Sequence, residues 1–309
     1  MVYEISFPRE FNKYTLNDTF SQYNRVVNGN FEEIVFDLSK SRFIRPTGIV
    51  TIIAMIQYLK CIKSHPQISL IHPRRNKLRH YLNRINFYNL VGIDTEEIVR
   101  RSSRGRFFEV TNVKSHTEVR GVSEELADIF MKQTRSSEDL SGNINSSLSE
   151  ILDNIFHHSY SPISGVVCAQ TFSQKREAEF AICDAGIGIK ESLKNNPEYS
   201  DLTSDMKAIK KALEKEVTGT IGENAVGLNN TGEGLYYIKE AIISNSGDFH
   251  IYSRKGKMSI EQGNIEYSRC PLWPGTLISI TINLDNDFPL YDNLDSEIEG
   301  AEGFGMFDF

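Results

Sequence analysis

The sequence predicts an α/β protein in two parts. An N-terminal α/β domain occupies residues 1–93, and an α/β two-layer sandwich with a mixed sheet occupies residues 121–288. Three observations predict this. Strand-like and helix-like segments alternate through the first part at a spacing that calls for a parallel or mixed sheet carrying helices. The second part shows a hairpin pattern, two glycine-rich loops, a helix and two further strands. With 309 residues the chain is long enough to bury two cores. A charged stretch, 94–120, joins the parts, and an acidic segment, 289–309, follows them.

In the first part, Tyr3–Phe7 reads as a strand and Leu16–Val27 as a helix. Phe31–Leu38 is rich in β-branched and aromatic residues, as a strand should be. Arg45-Pro46-Thr47-Gly48 opens a helix running to about Lys63, with Pro46 suited to its first turn and Thr47 to its cap. Ile68–His72 is a further strand ended by Pro73, and Asn76–Leu90 a further amphipathic helix. The run Ile34-Val-Phe-Asp-Leu-Ser39 followed by Phe43-Ile-Arg-Pro-Thr-Gly-Ile49 resembles the STAS domain of anti-sigma-factor antagonists. In that family the hydroxyl residue before the glycine is a phosphorylation switch. Thr47 matches that position, while Arg45-Pro46 departs from the family's acidic and hydroxyl residues.

Residues 94–120 are polar, with Arg100-Arg-Ser-Ser-Arg-Gly-Arg106 at their centre, and read as a solvated linker. Phe107–Val113 within them could form a strand of either sheet. The helical period resumes at Val122, Leu126 and Ile129, with Ser123 as a cap, and a second helix begins near Ser141. That helix ends in Glu150-Ile-Leu-Asp-Asn-Ile-Phe-His-His-Ser159. Ile151, Leu152, Ile155 and Phe156 form its apolar stripe, and Glu150, Asn154 and His158 recur every four residues along one face beside it.

Gly165–Phe172 and Glu177–Cys183 form the expected antiparallel hairpin, and the second strand runs into Asp184-Ala-Gly-Ile-Gly-Ile189. Gly186 and Gly188 let the backbone pass close to a planar ligand, and Asp184 can accept a hydrogen bond from an exocyclic amine. After a Lys-rich helix, Thr203–Val217, comes a second glycine-rich loop, 219–235, which lacks the Lys-Ser/Thr pair of a P-loop. It leads into the helix Leu235–Ser244, whose first backbone N–H groups can receive phosphate. Phe249–Lys255 and Thr276–Ile282 are the last strands, with Pro274-Gly275 ahead of the second.

Glu150/Asn154 on a helix, Asp184-x-Gly-x-Gly, Gly232-x-Gly-Leu235 and Gly275-Thr276 before a strand occur in that order. The ordered set resembles the GHKL ATPases, the family of DNA gyrase B, heat-shock chaperones, mismatch-repair proteins, histidine kinases and anti-sigma-factor kinases. The resemblance covers about residues 121–285 and implies ATP and Mg2+ as ligands. It implies that Asn154 ligates Mg2+ and that Asp184 binds the adenine amino group. Gly186, Gly188 and Ile189 would lie at the base, and Thr276 would support the Asp184 contact. Thr231, Gly232, Glu233, Gly234 and Leu235 would present the phosphate loop, His158 would stand near a phosphate, and Glu150 would be the general base. The stretch from about Lys190 to Gly232 would be a lid.

The expected protein is therefore a cytoplasmic Mg-ATP-binding regulator that hydrolyses ATP to change lid and partner contacts. The alternatives are a Ser/Thr kinase of the anti-sigma type, acting on a STAS partner or on Thr47, and a non-catalytic ATP-dependent binding module. A protein partner (STAS-like, sigma-like or effector) is implied, and the family resemblance points to a homodimer. No apolar run reaches membrane-spanning length, so no membrane role is expected. The start shows no secretory pattern, and four scattered cysteines lack metal-ligand or disulfide spacing. The formal charge of −7, much of it in the last 25 residues, argues against nucleic acid as the main partner. Residues 289–309 read as disordered, or as a docking peptide.

Overall fold

The computed structural model describes residues 1–63, 67–93, 107–131, 138–219 and 234–286. The chain opens with β1 (Val2–Ser6), β2 (Glu10–Phe11) and α1 (Leu16–Asn28). It continues with β3 (Glu33–Asp37), β4 (Phe43–Ile44), α2 (Pro46–Ile62) and β5 (Gln67–Ile71). β1, β3 and β5 form a parallel sheet in that order, and β2 pairs with β4 beside it. Right-handed crossovers that step the same way across a sheet place their helices on one face, which puts α1 and α2 together. The strands alternate accordingly: Ile34 and Phe36 are buried, while Val2 and Ile71 on the other face are exposed. The helix expected over 76–90 is broken into α3 (Asn76–Arg84) and α4 (Phe87–Val91). Asn86 adopts a left-handed conformation between them, at φ 73°, which the helical ladder cannot pass through.

The second part contains β6 (Phe107–Val113), α5 (His116–Met131), α6 (Glu138–His158), β7 (Gly165–Phe172) and β8 (Glu177–Cys183). There follow α7 (Gly188–Leu193), α8 (Asp205–Ala212), α9 (Gly234–Asn245), β9 (Asp248–Glu261) and β10 (Asn264–Asn283). Five strands pair in the order β6-β7-β8-β10-β9. The mixed sheet expected here is corrected: each of its pairings is antiparallel. β7–β8 and β9–β10 are hairpins, and β10 lies between β8 and β9, antiparallel to both, so no parallel pair arises. The segment 107–113, set within the connecting stretch by the sequence, is the edge strand β6. Ser123 does not cap α5, which begins seven residues earlier at His116. It is buried mid-helix, donates to the Arg120 carbonyl at 2.9 Å and meets Ser149 Oγ of α6 at 2.7 Å.

The five-stranded sheet is covered on both faces. Phe180, Ile182, Ile278, Ile280, Phe249 and Ile251 face one core with α5, α6 and α9. Cys168, Ala181, Cys183, Tyr252, Trp273 and Leu277 face the other, which continues into α1, α2 and the parallel sheet. Phe20 of α1 stacks on Trp273 at 5.0 Å between ring centres. The small side chains at Cys168, Ala181 and Cys183 leave room for α2. This explains the composition of α2, in which Ile49, Val50, Ile52, Ile53, Ala54, Met55 and Ile56 are buried in consecutive turns. A helix apolar all round is one covered on every side, and here a sheet lies on each side.

A buried polar joint fixes α2 against that sheet. Thr47 does not cap the helix with its own side chain. Glu179 of β8 takes that role: its carboxylate accepts from Thr47 N at 3.0 Å, from Thr47 Oγ1 at 2.6 Å and from Arg45 Nε. Arg45 also donates to Glu177 at 2.8 Å, and Ser279 of β10 meets Thr47 Oγ1 at 2.7 Å. A carboxylate at a helix start complements the unsatisfied N–H groups and the dipole. Among the described residues no helix is long and apolar enough to cross a membrane.

Candidate functional site

The end of β8, the middle of β10, the last turns of α6, and α7, α8 and α9 enclose a cleft of about 810 Å3, open mouth included. Seven of the sequence-selected residues line it: Glu150, Asn154, Asp184, Gly188, Ile189, Leu235 and Thr276. Ile151, Ile182, Leu193, Val217 and Ile278 supply apolar wall, with Ser159, Ser192 and Thr218 as further polar lining.

Asp184 makes the floor. It directly follows β8, is 2% exposed, and among the described residues its carboxylate is held by backbone N–H donors alone: Gly186 N at 2.7 Å and Thr276 N at 3.2 Å. Burial pushes its carboxyl up to about 7, against the lowering pull of those two hydrogen bonds. Its backbone is pinned as well, since Asp184 N donates to the Thr276 carbonyl at 2.9 Å and Trp273 Nε1 donates to the Asp184 carbonyl at 3.1 Å. Gly275 sits at φ 95°, and a Cβ there would lie 2.4 Å from Asp184 Oδ1. Glycine is required at that point both for conformation and for the close approach.

The loop after Asp184 is clamped between two neighbours. Gly186 lies so close to Ser159 that a Cβ would come within 1.9 Å of the Ser159 carbonyl oxygen, which accepts from Ile187 N at 2.7 Å. Ser161 Oγ accepts from Ala185 N at 3.1 Å. Gly188 has φ 79° and opens α7. Ile189 N donates to Ser253 Oγ at 2.9 Å, and Ser253 is 3.2 Å from Thr276 Oγ1. Thr276 thus joins the loop through Ser253 and the Asp184 carboxyl through its backbone. Ser253 and Trp273 escaped the sequence reading. Trp273 had a signal, being the one tryptophan of the chain and lying just before Pro274-Gly275-Thr276; Ser253 is one serine among many.

At the other end of the cleft, Glu150 and Asn154 stand one helical turn apart on α6. The carboxylate of Glu150 lies against the first residue of α9: a Cβ on Gly234 would be 2.7 Å from Glu150 Cδ and Oε2. Gly234 therefore brings the start of a twelve-residue helix against the polar row of α6. Thr231, Gly232 and Glu233 lie outside the described residues, as does the side chain of His158. The stretch expected as a lid is, as far as Gly219, a packed helical layer. Leu193, Tyr199, Ala208, Ala212 and Val217 form its own small core. The β9–β10 hairpin supports it, with Gly256 so close that a Cβ would lie 2.8 Å from the backbone of Asp205.

The cleft therefore offers a buried carboxyl acceptor under apolar walls, and a carboxylate with an amide beside a helix start. No family model matches this chain, and no curated protein matches it.

Proposed function

We propose that this cleft binds Mg-ATP in the manner of a GHKL ATPase domain and that the chain hydrolyses it to alter contacts with a protein partner. The observation that carries the reading is Asp184: a carboxyl 2% exposed, raised to about 7, with no cation beside it among the described residues and a cleft above it. A buried carboxyl without a counter-charge is costly and suits a ligand that brings its own donor, as the adenine amino group would. Ile182, Ile189 and Ile278 supply the apolar surface that a base requires.

At the other end, the donor set fits a magnesium ion. Asn154 offers a neutral oxygen, and Mg2+ takes one or two protein oxygens together with phosphate and water. When bound, the ion would neutralise phosphate charge and align the terminal phosphoryl group. Glu150, one turn away, would orient a water and take its proton as the oxygen–phosphorus bond forms and the bond to the leaving ADP breaks. The start of α9 at Gly234, against Glu150, supplies backbone donors to the same end. Thr47 does not serve as an acceptor in this arrangement, because it is wholly buried and its hydroxyl is used on Glu179.

Labelled ATP and Mg2+ given to the full chain separate the outcomes: released phosphate, a labelled protein, or bound nucleotide only. We expect released phosphate, with Glu150→Ala lowering the rate roughly 10²–10⁴-fold while leaving ATP affinity within about threefold. Unchanged turnover in that variant would remove Glu150 from the mechanism.

A further inference from the structure

Charge is distributed unevenly along this chain. Between Leu38 and Ile93 there is no aspartate or glutamate, against ten lysines and arginines, although the whole chain carries a formal −7. Three of the ten are used internally. Arg45 pairs with Glu177 and Glu179, Lys60 Nζ donates to the Val91 carbonyl, and Lys63 Nζ donates to the Gly29 carbonyl.

The topology gathers most of the others. Because β1, β3 and β5 run parallel, the residues that follow them leave at one edge of the sheet. Arg9 follows β1, Lys40 and Arg42 follow β3, and Arg74, Arg75 and Lys77 follow β5. Backbone bonds tie these loops together: Arg42 N to the Arg9 carbonyl at 2.7 Å, and Leu38 N to the Ile71 carbonyl at 2.9 Å. Ser41 Oγ adds a bond to the Pro8 carbonyl at 3.0 Å. All six side chains are exposed. Among the described residues none of the six has an ion-pair partner. Like charges fixed together on hydrogen-bonded loops repel one another, and an anionic cover relieves that.

The chain carries a matching counter-charge. Residues 285–309 hold eight aspartates and glutamates and no lysine or arginine. Their starting point is held at the β7–β8 turn and at the end of α9, where Asn286 exchanges hydrogen bonds with Asn245 at 2.9 and 3.2 Å. Leu284 N donates to the Arg176 carbonyl at 2.8 Å, and Asp285 pairs with Arg176. The next residue, Glu177, pairs with Arg45, and Phe43 packs on Phe172 at 5.9 Å between ring centres. The 23 residues after Asn286 could reach at most about 80 Å, so length does not limit where they touch.

We propose that the acidic segment 287–309 docks on the carboxyl-end edge of the parallel sheet, against Arg9, Lys40, Arg42, Arg74, Arg75 and Lys77 of the same chain. Each exposed pair contributes little, but the tether makes every contact after the first intramolecular. The segment occupies the surface that an anionic partner would otherwise reach.

The test is a carbodiimide, which couples carboxylates to amines at zero length, applied to the full chain and read by peptide mass spectrometry. Lys40 and Lys77 are the amines on the edge. We expect links from the carboxylates of 292–302 to Lys40 and Lys77, and their loss at about 0.5 M salt. They should fall at least about fivefold in a full-length Arg9→Glu/Arg42→Glu/Arg74→Glu variant whose circular dichroism is unchanged. Coupling of the segment to Lys207 and Lys210 in proportion to their exposure would overturn the proposal. So would links that join isotopically distinct copies in a mixed sample, which would place the docking between chains. Nucleotide binding does not enter this readout.

Discussion

Two carboxylates five residues apart, one on β8 and one just past its end, are buried almost equally and live in opposite surroundings. Glu179 is 0% exposed and Asp184 2%. Glu179 has a guanidinium, a hydroxyl and a backbone N–H, all from the start of α2, so its charge is matched and its lone pairs are filled. Asp184 has two backbone N–H groups and a cleft. Burial by itself therefore does not mark a functional carboxylate. What separates the two is whether the fold completes the environment or leaves part of it for something else to supply.

Breaking the completed site should have the larger effect on stability. Glu179→Ala leaves Arg45 buried without its main partner and removes the cap of α2, so unfolding in urea should show a loss of about 3–5 kcal/mol. A loss below about 1 kcal/mol would mean that the joint between α2 and the sheet is incidental. The next largest effect should come from Gly275→Ala. It forces a Cβ to within 2.4 Å of Asp184 Oδ1 at a backbone φ of 95°, costing at least about 2 kcal/mol. That variant should also lose adenine binding, since the side chain it displaces is the floor of the cleft.

The difference in charge state gives a smaller and more specific effect. Asp184 is raised to about 7, so the folded chain keeps a proton that the unfolded chain has released. Its contribution to stability therefore falls as pH rises from the ordinary carboxylate range through about 7. Ligand binding has the opposite sign, because an amine donor prefers the ionised acceptor. Adenosine, which does not itself titrate in this range, should bind up to about tenfold more weakly per pH unit below 7. A flat profile from pH 5.5 to 8, measured by calorimetry, would show that Asp184 is not the titrating contact.

The two carboxylates also differ in how far the sequence revealed them. Asp184, Gly186, Gly188 and Gly275-Thr276 were legible because strand ends and glycines leave local marks. Glu150 and Asn154 were legible because helical spacing is short-range. Glu179 was not, since its partner Arg45 lies 134 residues away and nothing local joins them. The same limit explains the sheet: strand runs were visible at 165–172 and 177–183, but the antiparallel entry of β10 beside β8 depends on non-local pairing. α2 did carry a readable sign. An apolar run with no polar face implies cover on all sides, and the sheet of the second part provides the side that the first part lacks. The break at Asn86 and the burial of Ser123 arise from tertiary contacts that override local preference.

The most direct test is ATP binding by Asp184→Asn beside the parent chain, followed calorimetrically in Mg2+ with thermal unfolding measured on the same samples. The substitution keeps an oxygen for Gly186 N but turns an amide donor toward Thr276 N or the base. We expect a loss of about 100-fold or more in ATP affinity, with folding stability within about 1 kcal/mol of the parent. Full ATP affinity in a folded Asp184→Asn chain would contradict it.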